Sequence, residues 1–179
     1  MFGFFEKKPN VDRNLLFVGV LDATADKLED YYRHGISGAP PVQTYQKTEI
    51  VVFALILVQA AIRSYSDIQE NYEEDAVRLS LAAVKYIGEN VEADDDTILG
   101  FILKREQEYY PTIEEEILHH NTEVYKSPQI GALLDRRALR IAHEEDIDFV
   151  AASIRSLAIN ASFMAALDAV GSIYSGKLG

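Results

Sequence analysis

The sequence predicts an all-α fold: a single-domain helical bundle, orthogonal or up-down, of about six to seven helices. Three observations predict it. The first is the run from Ile50 to Ile62, in which Gln59 is the only polar residue. A helix that is apolar on every side is either enclosed by other helices or spans a membrane. Spanning takes roughly 20 apolar residues, more than lie between Glu49 and Arg63. The second is that apolar residues recur at helical spacing through most of the remaining chain, without period-two alternation or an Asn-Gly hairpin turn. The third is a long C-terminal segment, about 144–174, that carries two apolar stripes. A buried central helix (49–69) and this C-terminal helix are expected to organise the bundle.

In chain order, residues 1–10 read as a flexible aromatic segment and 11–176 as the all-helical domain. The first helix carries Phe17, Leu21, Ala25, Leu28 and Tyr32 on one face, with Gly19 a point at which it could weaken or split. Arg33 and His34 suit its negative C-terminal end and Gly35 the left-handed position beyond it. A Gly- and Pro-containing connector, 36–42, leads to the central helix. A third helix over 73–87 is expected to turn Val77, Leu81 and Val84 inward and to stop near Gly88. The acidic loop 92–97 ends in residues able to cap the next helix, whose inward positions are Ile98, Phe101 and Ile102. That helix is expected to close at Tyr109-Tyr110-Pro111, because a residue before proline is steered out of helix.

Thr112-Ile-Glu-Glu115 then reads as a capping box, and Ser127-Pro128 as an N-cap with proline at the first helical position. The helix that follows carries Ile130, Leu134, Ala138 and Ile141. In the last segment one stripe is Ile147, Val150, Ile154, Leu157, Ala161 and Met164. The other is Phe149, Ala152, Ile159, Phe163, Ala166, Val170 and Ile173. The first is expected to meet the central helix, and the second another helix or a second subunit. Asn160 and Asp168 argue against a membrane span.

Composition narrows the function classes. With 48% hydrophobic and 26% charged residues the chain is that of a folded protein, not a disordered one. It has no cysteine, which excludes disulfide and thiol chemistry and makes the cytoplasm the expected compartment. Lysine plus arginine number 17 against 29 acids, a net charge of −12, which disfavours nucleic acid and favours a basic protein partner or divalent cations. At the N-terminus Phe2, Phe4 and Phe5 precede Lys7 and Lys8, the reverse of a secretory signal. They read as a flap that packs on the bundle or stays mobile. Shallow contact with a membrane surface is the alternative, at odds with so acidic a chain.

One constellation could carry metal chemistry. On a helix, Glu115, His119 and Glu123 lie one turn apart on one face, and Glu116 and His120 form a neighbouring pair. Glu116 and His119 also have the Glu-x-x-His spacing of di-iron carboxylate bundles, and the donor set suits Fe, Mn or Zn. His143 or His34 could complete it. No second Glu-x-x-His copy is present, and a solvated helix with acids at one end and histidines and Lys126 at the other obeys the same dipole logic. Glu70 with Glu73, and Glu92 with Asp95, echo the spacing of Mg-dependent all-α nucleotide pyrophosphohydrolases. Asp94-Asp95-Asp96 lacks the alternation of a calcium loop, and no Walker, dinucleotide or nucleophile-elbow motif occurs. Arg136, Arg137 and Arg140 make a small basic edge that could grip an acidic face of a second copy. The leading expectation is a non-catalytic protein-interaction or regulatory module without cofactor, a homodimer through its C-terminal helix. A metal-dependent oxidoreductase or hydrolase using Glu115, His119 and Glu123 comes next, and the pyrophosphohydrolase after it.

Overall fold

A computed structural model describes residues 12–34, 44–118 and 129–177. Six α-helices follow in order: α1 Arg13–His34, α2 Thr44–Arg63, α3 Tyr72–Gly88, α4 Asp95–Ile113, α5 Gln129–Ala138 and α6 Phe149–Tyr174. A π-helical turn, Glu114–Leu118, extends α4, and a short 3-10 turn, Glu144–Asp146, precedes α6. The described residues contain no strand. The all-α helical bundle expected from the sequence is the fold.

Helix α2 lies at the centre. From Val52 to Leu57 every side chain is fully enclosed, and α1, α3, α4, α5 and α6 all pack on it. Its one internal polar residue, Gln59, donates from Nε2 to the Ser80 hydroxyl (2.7 Å) and the Ala76 carbonyl (3.3 Å) of α3. Aspartates fix the starts of α1, α4 and α6. Asp12 Oδ1 accepts the Asn14 amide, Asp94 Oδ1 the Thr97 amide, and Asp148 Oδ1 the amides of Val150 and Ala151. These bonds satisfy donors that an α-helix leaves open. The Thr97 amide holds the Asp94 carboxyl below its usual range.

Several expectations need correction. Gly19 does not split α1, which runs unbroken to His34. The central helix is Thr44–Arg63 and not 49–69; beyond Arg63 the chain goes into turns. On α3, Val77 and Leu81 face solvent, while Ala76, Leu79, Ala83, Val84 and Ile87 are buried. The inner face is set by which residues meet α2, and the apolar count alone does not choose it.

The helix does not close before Pro111. Proline removes one amide and leaves the Gln107 carbonyl without its intrahelical partner, a cost of about 3 kcal/mol, yet α4 continues through it. Burial of Tyr109 and Ile113, both fully enclosed, outweighs that local penalty. Thr112 therefore starts no helix, and the wider turn that follows brings both Glu116 and Ile117 inward. The connector 36–42, Gly35, Ser127-Pro128 and the N-terminal segment lie outside the described residues.

The two stripes of α6 are exchanged relative to expectation, and the helix starts at Phe149 rather than at 144. Ala152, Ile159, Phe163, Ala166, Val170 and Ile173 enter the core. Val150, Ile154, Leu157 and Met164 point outward. Helix α6 reaches α5 at a place where backbone nearly touches backbone. A Cβ on Gly131 would lie 2.7 Å from the Ser156 Oγ and closer still to the Ala152 carbonyl oxygen. The Gly131 amide instead donates to Ser156 Oγ at 3.0 Å. Gly131→Ala is thus expected to cost about 1–3 kcal/mol by forcing α5 off α6. A urea midpoint equal to the wild type's would show that this approach is not tight.

Candidate functional site

Two buried triplets of tyrosine, carboxylate and arginine tie five of the helices together. In the first, Glu49 of α2 accepts Arg105 of α4 on both oxygens, Nε to Oε1 at 2.6 Å and Nη2 to Oε2 at 3.1 Å. The Tyr109 hydroxyl donates to the same Oε1 at 2.6 Å. Arg105 reaches on to Glu108 at 2.9 Å, and Glu108 pairs with Arg137 of α5. In the second, Asp135 of α5 pairs with Arg155 of α6 and accepts the Tyr32 hydroxyl of α1 at 2.9 Å. The Arg155 guanidinium also lies over the Tyr32 ring, 4.5 Å from its centre.

Both triplets satisfy the buried charges that desolvation would otherwise penalise. Burial pushes the Tyr109 phenol far up, and Glu49 adds to it. Tyr32 is raised in the same way by burial and by Asp135. Burial also pushes the Asp135 carboxyl up to about 6, against the lowering effect of Arg155 and of the Tyr32 hydrogen bond. These groups bind each other, and their chemistry is that of a lock between helices.

Beside the first triplet opens a cleft of about 1110 Å³ between the start of α2, the end of α3, α4 and the end of α5. Its apolar wall is Ile87, Val91, Ile98, Phe101 and Ile141. Four arginines line it, Arg105, Arg136, Arg137 and Arg140, against one acid, Glu49. Arg105 stacks on Phe101, 4.8 Å from the ring centre. Arg136 and Arg137 stand in the last turn of α5, where the helix dipole favours cations, and Arg140 lies just beyond it.

The residues proposed from sequence for a metal site are only partly described. His119, His120 and Glu123 lie outside the described residues. Glu115 and His143 are exposed, and His34 ends α1. Glu116 is buried, and its two oxygens accept the amides of Gln129 (2.9 Å) and Ile130 (3.1 Å). It caps α5 from a distance in sequence, and burial holds its carboxyl above the ordinary value against those bonds. Among the described residues no three His, Asp or Glu side chains gather as a metal site. Glu70 and Glu73 stand at the start of α3 and Glu92 and Asp95 beyond its end, about 24 Å apart by helix rise.

The triplets and the cleft were missed in the sequence, though signals existed. Arg155 is the only basic residue of α6, and Asp135 interrupts the apolar face of α5. Comparison with protein-family models, curated proteins and solved structures finds no match to this chain.

Two predictions follow from the geometry. Glu116→Ala leaves two amides of α5 without their acceptor and is expected to lower stability by about 1–2 kcal/mol; an unshifted thermal midpoint would contradict the cap. Asp135 carries a folded-state pKa of about 6, above its unfolded value of roughly 3.9. Its contribution is therefore fully present below the unfolded value and lost as pH rises through about 6. The stability difference between wild type and Asp135→Asn should widen in favour of wild type by about 2 kcal/mol from pH 7 to 4.5. Urea titrations at both pH values check this, and a constant difference would refute it.

Proposed function

We propose that this protein is a non-catalytic interaction module whose working surface is the outer face of α6, paired with the same face of a second copy. The observation that carries this reading is the spacing and exposure of Val150, Ile154, Leu157 and Met164, exposed at 65%, 45%, 44% and 50%. With Ala161 between them they repeat at intervals of four and three residues, the seam of a two-helix interface. Ala161 and Ala165 permit close approach. The stripe carries no charge before Asp168, so it is neutral ground on a chain of net charge −12. Antiparallel pairing centred on Leu157 would set Val150 against Met164 and keep the two copies of Asp168 apart, as a two-fold interface requires.

Helix α6 is also the one helix among the described residues long and apolar enough to cross a membrane, by length and composition only. Its inner face, however, packs on α1, α2 and α5 and holds the Arg155 pair, which supports a role in the bundle. A cysteine-free acidic chain fits a cytoplasmic setting.

Light scattering after size exclusion tests the reading. The expected mass is twice the 20.1 kDa of the chain, and Leu157→Glu should return it to the single-chain value with unchanged helical circular dichroism. A wild type of single-chain mass at tens of micromolar overturns the proposal.

A further inference from the structure

A groove of about 190 Å³ runs between α1 and α6. Its walls are Gly19, Val20 and Ala23 of α1 and Ala165, Ala166 and Ala169 of α6, and Lys27 is its one charged residue. Gly19, Ala23, Lys27 and Ala165 are exposed, so the groove opens to the outside of the bundle. A Cβ on Gly19 would meet no atom within 4 Å. An apolar cavity of about 150 Å³ is enough to take a benzene ring, and this groove is larger than that.

The chain carries its own occupant. Phe2, Phe4 and Phe5 belong to residues 1–11, outside the described residues, and that segment joins α1 at Asp12, the residue that caps the helix. It therefore leaves from the helix that forms one wall of the groove. Lys27, at the far end, stands about 22 Å from Asp12 by helix rise. The seven residues from Phe5 to Asp12 reach up to about 24 Å when extended, so the rings can lie at any level of the groove. A tether this short gives an effective concentration on the order of millimolar, which a separate partner would have to match.

Charge agrees with this placing. Lys7 and Lys8 follow the phenylalanines, and Asp22 and Asp26 stand three residues beyond Gly19 and Ala23, next to them on the helix surface. Lys7 can reach about 17 Å from Asp12, and Asp22 lies about 15 Å away. The two aspartates are one turn apart and repel each other; burial and Asp26 together raise the Asp22 carboxyl. A lysine beside them would relieve that repulsion.

We propose that the chain's own N-terminal segment docks in this groove, residues 2–5 lying between α1 and α6 with a phenylalanine ring over Gly19 and Ala23, and the lysines turned toward Asp22 and Asp26. Docked in this way the segment ties the first helix to the last and covers apolar surface that neither helix covers alone. The docking needs no second copy and so stands apart from the pairing of α6.

Nuclear magnetic resonance on the full chain tests this through Overhauser contacts between the ring protons of Phe2, Phe4 and Phe5 and the methyl groups of Ala23, Ala165 and Ala169. Contacts within one chain are expected, and mixing labelled with unlabelled chains separates them from contacts between copies. Gly19→Leu fills the groove from α1. It puts a better helix former into open space, so the thermal midpoint should hold or rise while the contacts are lost. Trypsin cleavage after Lys7 should become at least about tenfold faster, because cleavage follows the undocked population. Phe4→Ser with Phe5→Ser leaves α1 and α6 unaltered and should speed the same cleavage. Absence of ring-to-methyl contacts in the wild type, contacts found only between copies, or a cleavage rate unchanged in both variants would each overturn the proposal.

Discussion

The burial of α2 is the constraint on which the rest of the structure depends. A helix with no polar face has no orientation it can present to water, so every side must be covered. Five neighbours cover it. Because the only internal polar side chain, Gln59, finds partners on α3, the helix is held by packing along its length and by Glu49 near its start. Glu49 is where the apolar run meets charge, and Arg105 and Tyr109 of α4 converge on it. Hydrophobic enclosure places α2, and the buried carboxylate fixes which helix lies beside its beginning.

The second triplet does for α1, α5 and α6 what the first does for α2 and α4. Asp135, Tyr32 and Arg155 come from three helices, two of which also meet at the Gly131–Ser156 approach. Buried ion pairs add little net stability compared with apolar replacements, while removal of one partner is severe. Their contribution here is to specify the arrangement: a helix shifted by one turn would lose its partner in the interior. The same logic extends to Glu116, whose carboxylate ends on the first amides of α5. A residue that reads as a metal donor in the sequence is used to start a helix.

With the core closed in this way, two surfaces are left over. The outer stripe of α6 is apolar and uncharged, whereas the cleft at the end of α5 is lined by apolar side chains and by arginines, two of them paired with Glu49 and Glu108. They lie on different helices and have different chemistry.

Local sequence settled the helix class, the central place of α2, the inward face of α1 and that of α5 at Ile130, Leu134 and Ala138, since each follows from spacing, whereas Ile141 falls beyond the end of α5 and the cap of α4 is Asp94 rather than the last residues of the acidic loop. It did not settle the face of α3, the passage through Pro111 or the choice between the two stripes of α6. In each of these the local signal is weak or adverse, and the decision lies with burial contributed by residues far away in the chain, such as Tyr109 packed on Phe53 at 4.9 Å between ring centres. The triplets and the cleft are decided the same way. Tyr32 and Asp135 are 103 residues apart and Glu49 and Arg105 are 56 apart, so no local spacing announces them; only the packing of helices around α2 brings those charges within hydrogen-bond reach.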